Sequence, residues 1–105
     1  MEYLVDSRKL AKAFKALSNP NRLQIYSELI QRRADSVESK QLHHCGITDF
    51  INSLNVGAPT ISHHIKELVN ADLIRVERQG KFVNCFLNEA MCKQLESFFN
   101  HSPKD

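Results

Sequence analysis

The residues best suited to chemistry fall into three groups: His63-His64 with Ser62 and Lys66 around them, His43-His44-Cys45, and the cysteines Cys45, Cys85 and Cys92. Imidazoles can ligate metals, titrate near neutral pH or hydrogen-bond a base edge. On a helix, neighbours lie about 100° apart, so the rings of His63 and His64 diverge and do not chelate one ion. In an extended loop, adjacent residues point in different directions, so His43-His44-Cys45 reads as a polar loop. A tight soft-metal site needs three or four ligands, more than the single thiolate there supplies. No metal site and no cofactor is therefore expected. Cys45 and Cys92 form a candidate redox pair, one ahead of a short helix and one on the last helix. The competing reading makes Cys92 core filler and Cys85 an inward strand residue, because free cysteine is often buried. No sequence neighbour places a cation to activate either thiol. The chain also lacks a Gly-rich phosphate loop, a nucleophile with a placed base, and paired carboxylates at a recognisable spacing, so it does not read as an enzyme.

These residues must be held by one domain spanning residues 1–105, since 105 residues leave no room for a second core. Hydrophobic content of 42% and charged content of 25% fit an ordinary globular domain with a modest core, which a partner subunit would help. Net charge is only +2, so the placement of charge matters more than its sum. No apolar run approaches the roughly 20 residues of a membrane span, and the N-terminus does not resemble a signal peptide. Three widely spaced cysteines argue against a disulfide framework and for a reducing, cytoplasmic location.

Apolar spacing predicts five helices and a hairpin. Leu10, Phe14 and Leu17 mark a first helix ending near Ser18-Asn19-Pro20, where Asn19 can cap a second. Leu23, Tyr26, Leu29 and Ile30 are the expected inner face of that second helix. From about Arg32 to His44 the period vanishes, which predicts a long solvated loop. Ile47, Phe50, Ile51 and Leu54 suggest a short third helix, followed by a turn at Asn55-Val56-Gly57. The fourth helix runs from about Ala58 to Ala71. It has Ile61, Ile65 and Leu68 in one buried stripe and His64 at the stripe's edge. Strands follow at Leu73–Arg78 and Lys81–Leu87, joined by a two-residue hairpin signal at Gln79-Gly80. A last helix covers about Glu89 to Asn100. Phe98 and Phe99 are adjacent on it and cannot both face one core, so one is expected to meet another chain.

The fourth helix carries the most information. Its outer face offers Ser62, His63, Lys66 and Asn70, with Pro59 and Thr60 in the first turn. A small, uncharged, hydrogen-bonding first turn can approach a base-pair edge closely. The hairpin adds Arg75, Arg78 and Lys81, with Gln79 at its tip, against one acid, Glu77. Helices followed by a hairpin after a short turn make a winged helix-turn-helix, mostly α with a two-stranded wing. The expected partner is double-stranded DNA, read by Pro59, Thr60, Ser62, His63, His64, Lys66, Arg75, Arg78, Gln79 and Lys81. His64, at the rim of the core, suits an internal hydrogen bond or a backbone contact. Arg8, Lys9, Lys12 and Lys15 read as a solvated face of the first helix.

The stretch Ala16-Leu17-Ser18-Asn19-Pro20-Asn21-Arg22-Leu23, then Val56-Gly57-Ala58-Pro59-Thr60-Ile61-Ser62-His63-His64-Ile65-Lys66-Glu67-Leu68, and the wing Arg78-Gln79-Gly80-Lys81-Phe82-Val83, resemble the ArsR/SmtB family of bacterial repressors. The match covers most of the chain between Leu10 and Leu87, and its specific part is Pro59 to Leu68. The resemblance implies a homodimer built from the first and last helices, here Leu10, Phe14, Leu95, Phe98 and Phe99. It implies that the fourth helix enters the major groove, with the wing on flanking backbone or minor groove. It further implies repression relieved by a metal ion or other signal, and a two-fold dimer would read a roughly palindromic operator. Three departures stand out. Asp72 occupies the turn after the fourth helix, where the family usually has glycine. The loop after the second helix is long. The family's Cys-x-Cys pair and its Asp-x-His with His-x-x-His set are both missing as such. The rival function is a protein-interaction module, because fold does not fix function. Such a module would show aromatics or aliphatics on the outer face, where this chain has Thr60, Ser62, His63 and Lys66.

Overall fold

A computed structural model describes residues 6–39, 57–79 and 82–100, with side chains at 6–33, 57, 60–77 and 85–100. Helix α1 spans Ser7–Leu17, its N-terminus capped by the Asp6 carboxylate, which accepts the Lys9 N–H at 3.2 Å. Leu10, Ala13 and Ala16 are buried on one side, with Phe14 and Leu17 packed against the same core. The Ser18 hydroxyl donates to the Lys15 carbonyl at 2.7 Å. One residue on, Asn19 Oδ1 accepts from the Asn21 and Arg22 N–H groups at 2.8 and 3.2 Å, the cap expected there. Pro20 then opens α2.

Helix α2, Pro20–Ser39, differs from the expectation in two ways. Residues 32–39 are helix, whereas the loss of apolar period predicted a loop from Arg32; the rest of that stretch, 40–44, lies outside the described residues. Amphipathic period reports burial, not helicity: residues 32–39 contain no glycine or proline, and Glu28 pairs with Arg32 at 2.9 Å one turn on. Arg33 reaches Glu89 at 2.6 Å, tying the far half of α2 to the start of the last helix. The inner face is also rotated. Ile25, Tyr26 and Leu29 are buried, while Leu23 and Ile30 are 50% and 40% exposed.

Helix α3, Ala58–Asn70, follows Gly57, whose extended backbone (φ −68°, ψ 154°) caps it without a side chain. It ends in a Schellman motif: the Asp72 N–H donates to the Val69 carbonyl and the Leu73 N–H to the Leu68 carbonyl, both at 3.0 Å. The motif requires a left-handed residue, and Asp72 supplies it at φ 61°. Leu68 and Leu73, three before and two after the cap, are both fully buried.

Strands β1 (Ile74–Gln79) and β2 (Phe82–Leu87) pair antiparallel, from Ile74 opposite Leu87 to Gln79 opposite Phe82. The register puts Gln79 inside the ladder, so the two intervening residues are 80–81 and not the expected Gln79-Gly80. Ile74, Val76, Cys85 and Leu87 face the core. Asn88 bonds back to the Leu73 carbonyl, and its Oδ1 accepts the Met91 N–H, opening α4 (Glu89–Asn100). Met91 and Leu95 complete one core shared by all of these elements. Among the described residues there are four helices and one two-stranded sheet. The helix expected around Ile47, Phe50, Ile51 and Leu54 lies outside them, as do His43, His44 and Cys45.

Candidate nucleic-acid interface

Helix α3 is anchored from beneath by Leu68 and His64, which are 0% and 6% exposed. Thr60, Ser62, His63, Lys66 and Asn70 are exposed on the other side. Ile61 and Ile65 are only half-buried, so the inner stripe is centred nearer His64 than expected. His64 therefore turns inward, away from the face expected to read DNA. Its Nδ1 lies 3.3 Å from Arg22 Nη1 of α2, and the Arg22 Nε–H donates to the Ala16 carbonyl of α1 at 2.6 Å. Burial, then the positive charge of Arg22, then His63, hold the His64 pKa below its ordinary value. His63 remains outside, its Nε2 4.0 Å from Glu67 Oε2.

On the wing, Arg75 is exposed but engaged. Its guanidinium lies 2.7 Å from the Glu77 carboxylate and 4.5 Å from the centroid of the Phe86 ring. Exposed pairs of this kind contribute little to stability, yet they offset the charge that a phosphate would use. Arg78 stands opposite Val83 and Gln79 opposite Phe82 in the ladder. Lys81 lies outside the described residues, and Pro59 sits in the first turn of α3.

The residues expected at a subunit interface divide into two sets. Leu10 and Leu95, 3% and 8% exposed, belong to the chain's own core. Phe14, Phe98 and Phe99 form an aromatic trio with ring centroids 5.3–5.8 Å apart. Phe98 and Phe99 are 44% and 70% exposed. Cys92 is half-buried with its Sγ 3.4 Å from the Tyr26 hydroxyl, and Cys85 is buried. Burial foremost, then the contact with Cys92, raises the Tyr26 pKa. Among the described residues no three of His, Cys, Asp and Glu gather as a metal set would require.

Arg22 is the residue that the sequence reading passed over. Its signal was a charged residue four before Tyr26 and seven before Leu29, hence on the buried face of α2.

No family model matches the chain. It is 33% identical over 94 residues to the arsenical resistance operon repressor of Bacillus subtilis (strain 168), covering 81% of this chain and 80% of that protein. It is 34% identical over 93 residues to a cadmium resistance transcriptional regulatory protein CadC homolog of Staphylococcus aureus, covering 88% and 69%. Its fold is similar to the crystal structure of an ArsR family transcriptional regulator, with a TM-score of 0.69 at 18% identity over 91% of this chain and 89% of that one. With a helix followed by a two-stranded hairpin in place and the two relatives aligned over most of its length, the chain belongs to the ArsR/SmtB family of DNA-binding transcriptional regulators.

Proposed function

We propose that the protein acts in the bacterial cytoplasm as a homodimeric repressor of a roughly palindromic operator, released by a signal. A regulator and not an enzyme is what its relatives imply. The observation that carries the DNA contact is the split on α3. His64 and Leu68 pin one side to the core, and the other presents Ser62, His63 and Lys66, with Thr60 in the small, uncharged first turn after Gly57. Those four residues, with Pro59, are the proposed major-groove readers. Arg78, Gln79 and Lys81 are the proposed wing contacts to backbone, with Arg75 contributing only on release from Glu77. Val69, at the far end of α3, is the exception to this polar face, which is otherwise a poor match for a protein-binding surface.

The dimer is proposed to form through α1 and α4, with Phe14, Phe98 and Phe99 as its apolar centre and Leu10 and Leu95 beneath as support. Two such subunits would place their reading helices about one DNA turn (~34 Å) apart. The single domain is proposed to contain the fifth helix that the apolar spacing of Ile47, Phe50, Ile51 and Leu54 predicts. Arsenical and cadmium resistance belong to the two relatives. The thiols here are one in the core (Cys85), one against Tyr26 (Cys92), and Cys45.

The test is fluorescence anisotropy of DNA from upstream of the protein's own gene, titrated with reduced protein at several salt concentrations. Tight, salt-dependent binding that survives random competitor is expected. Binding no better than to random DNA would transfer the winged helix to a protein partner.

A further inference from the structure

The geometry points to the Arg22–His64 contact as a proton-sensitive latch that seats the reading helix, so that acidification releases the protein from DNA. This rests on the DNA-binding reading above. His64 is the one buried polar side chain among the described residues, and it sits in the middle of the helix that must face the groove. A single guanidinium joins three helices there. Arg22 Nε–H satisfies the Ala16 carbonyl at the end of α1, where helix carbonyls lack intrahelical partners. Arg22 itself stands in the first turn of α2, and its Nη1 meets His64 Nδ1 of α3 at 3.3 Å.

Chemistry fixes the direction of that last bond. Guanidinium has only donors, so His64 Nδ1 must accept, and the imidazole must be neutral with its proton on Nε2. A protonated His64 would present a second N–H donor to Arg22, turning the hydrogen bond into a facing pair of cations. Among the described residues, the charged or titratable groups acting on His64 are Arg22 from α2 and His63 on its own helix, and neither favours the imidazolium. From α1 the latch meets the Ala16 carbonyl, which Arg22 already occupies. The sign follows. The folded-state pKa lies below the ordinary histidine value, so the latch's contribution is fully present above that value and is lost as pH falls through and below it. Arg22 and His64 are positioning residues: they touch no base in this reading and act through the orientation of Ser62, His63 and Lys66.

Two measurements test the latch. The first needs no DNA: nitrogen-resolved NMR of the histidine rings, with His64 assigned from the His64→Asn spectrum. The Nε2–H tautomer, titrating below the ordinary histidine value, is expected. The Nδ1–H tautomer, or titration at or above that value, overturns the latch.

The second is anisotropy of the upstream DNA between pH 7.5 and 5.5 for the unaltered protein, His63→Gln, His64→Asn and Arg22→Lys. The unaltered protein and His63→Gln should lose affinity with acid, by at most about tenfold per pH unit for each His64 that must be neutral. His64→Asn keeps an acceptor near the Nδ1 position and should bind well at pH 7.5 with a flattened profile. Arg22→Lys, which cannot make both bonds, should be weaker at pH 7.5 and also flattened. A His64→Asn profile that follows the unaltered protein overturns the proposal; if that variant does not fold, an unchanged Arg22→Lys profile does so. Loss of all sequence preference at pH 7.5 in the unaltered protein would instead sink the DNA reading and with it the release step, while the tautomer still decides the latch.

Discussion

Asp72→Gly should stabilise this protein without moving α3. Asp72 is held at φ 61° because the Schellman bonds from its own N–H and that of Leu73 fix the chain there. A left-handed conformation costs an L-residue roughly 1–2 kcal/mol, with aspartate at the low end because its short polar side chain tolerates the region. Glycine removes that cost but gives the unfolded chain about 0.4–1 kcal/mol more entropy to lose. The net gain is about 0–0.6 kcal/mol, or at most ~2–5 °C in Tm for a domain of this size. Asp72→Val is the opposite case: a β-branched side chain has no relief in this region and should lose more than ~1 kcal/mol. Urea denaturation followed by circular dichroism, at one fixed protein concentration because association couples to stability, measures both. Leu68 and Leu73 bury the two ends of the turn, so the angle between α3 and the wing should persist, and Asp72→Gly should bind DNA within about twofold of the unaltered protein. A less stable Asp72→Gly, or an Asp72→Val as stable as the unaltered protein, would refute the assignment of strain to this residue.

Other outcomes test the proposed interface. Ser62→Ala with His63→Ala should relax sequence preference in competition binding, since each good base contact is worth ~1–3 kcal/mol. Arg78→Ala or Lys81→Ala should weaken binding to all sequences and flatten the slope of log affinity against log salt by about one; an unchanged slope would remove the wing from the phosphates. Phe98→Glu with Phe99→Glu should yield monomers in sedimentation, and a surviving dimer would place the subunit contact elsewhere.

Local signals in the sequence were enough to locate two helix starts, the helix after Gly57 and the hairpin. Asn19 before Pro20 and Gly57 before Pro59 act through residue-level geometry, which no distant contact needs to supply. Alternation in Leu73–Arg78 and Lys81–Leu87 likewise reports a sheet with one buried face, one residue out of register with the observed Ile74–Gln79 and Phe82–Leu87, and Asp72 stood out only against the glycine that the resembled family usually has there. Packing decided what those signals left open. Helix α2 runs past Arg32, where the apolar period stops; Arg32 pairs there with Glu28 and Arg33 with Glu89 of the last helix. Leu23 and Ile30 are apolar yet exposed, since the core meets the neighbouring row of Ile25, Tyr26 and Leu29. His64 looked like an edge residue by its angle on an isolated helix. In the fold it is buried, and Arg22, 42 positions earlier in the chain, meets it there with a hydrogen bond to give. A period of apolar residues can indicate which side of a helix faces inward, but the polar partner waiting there is a tertiary fact.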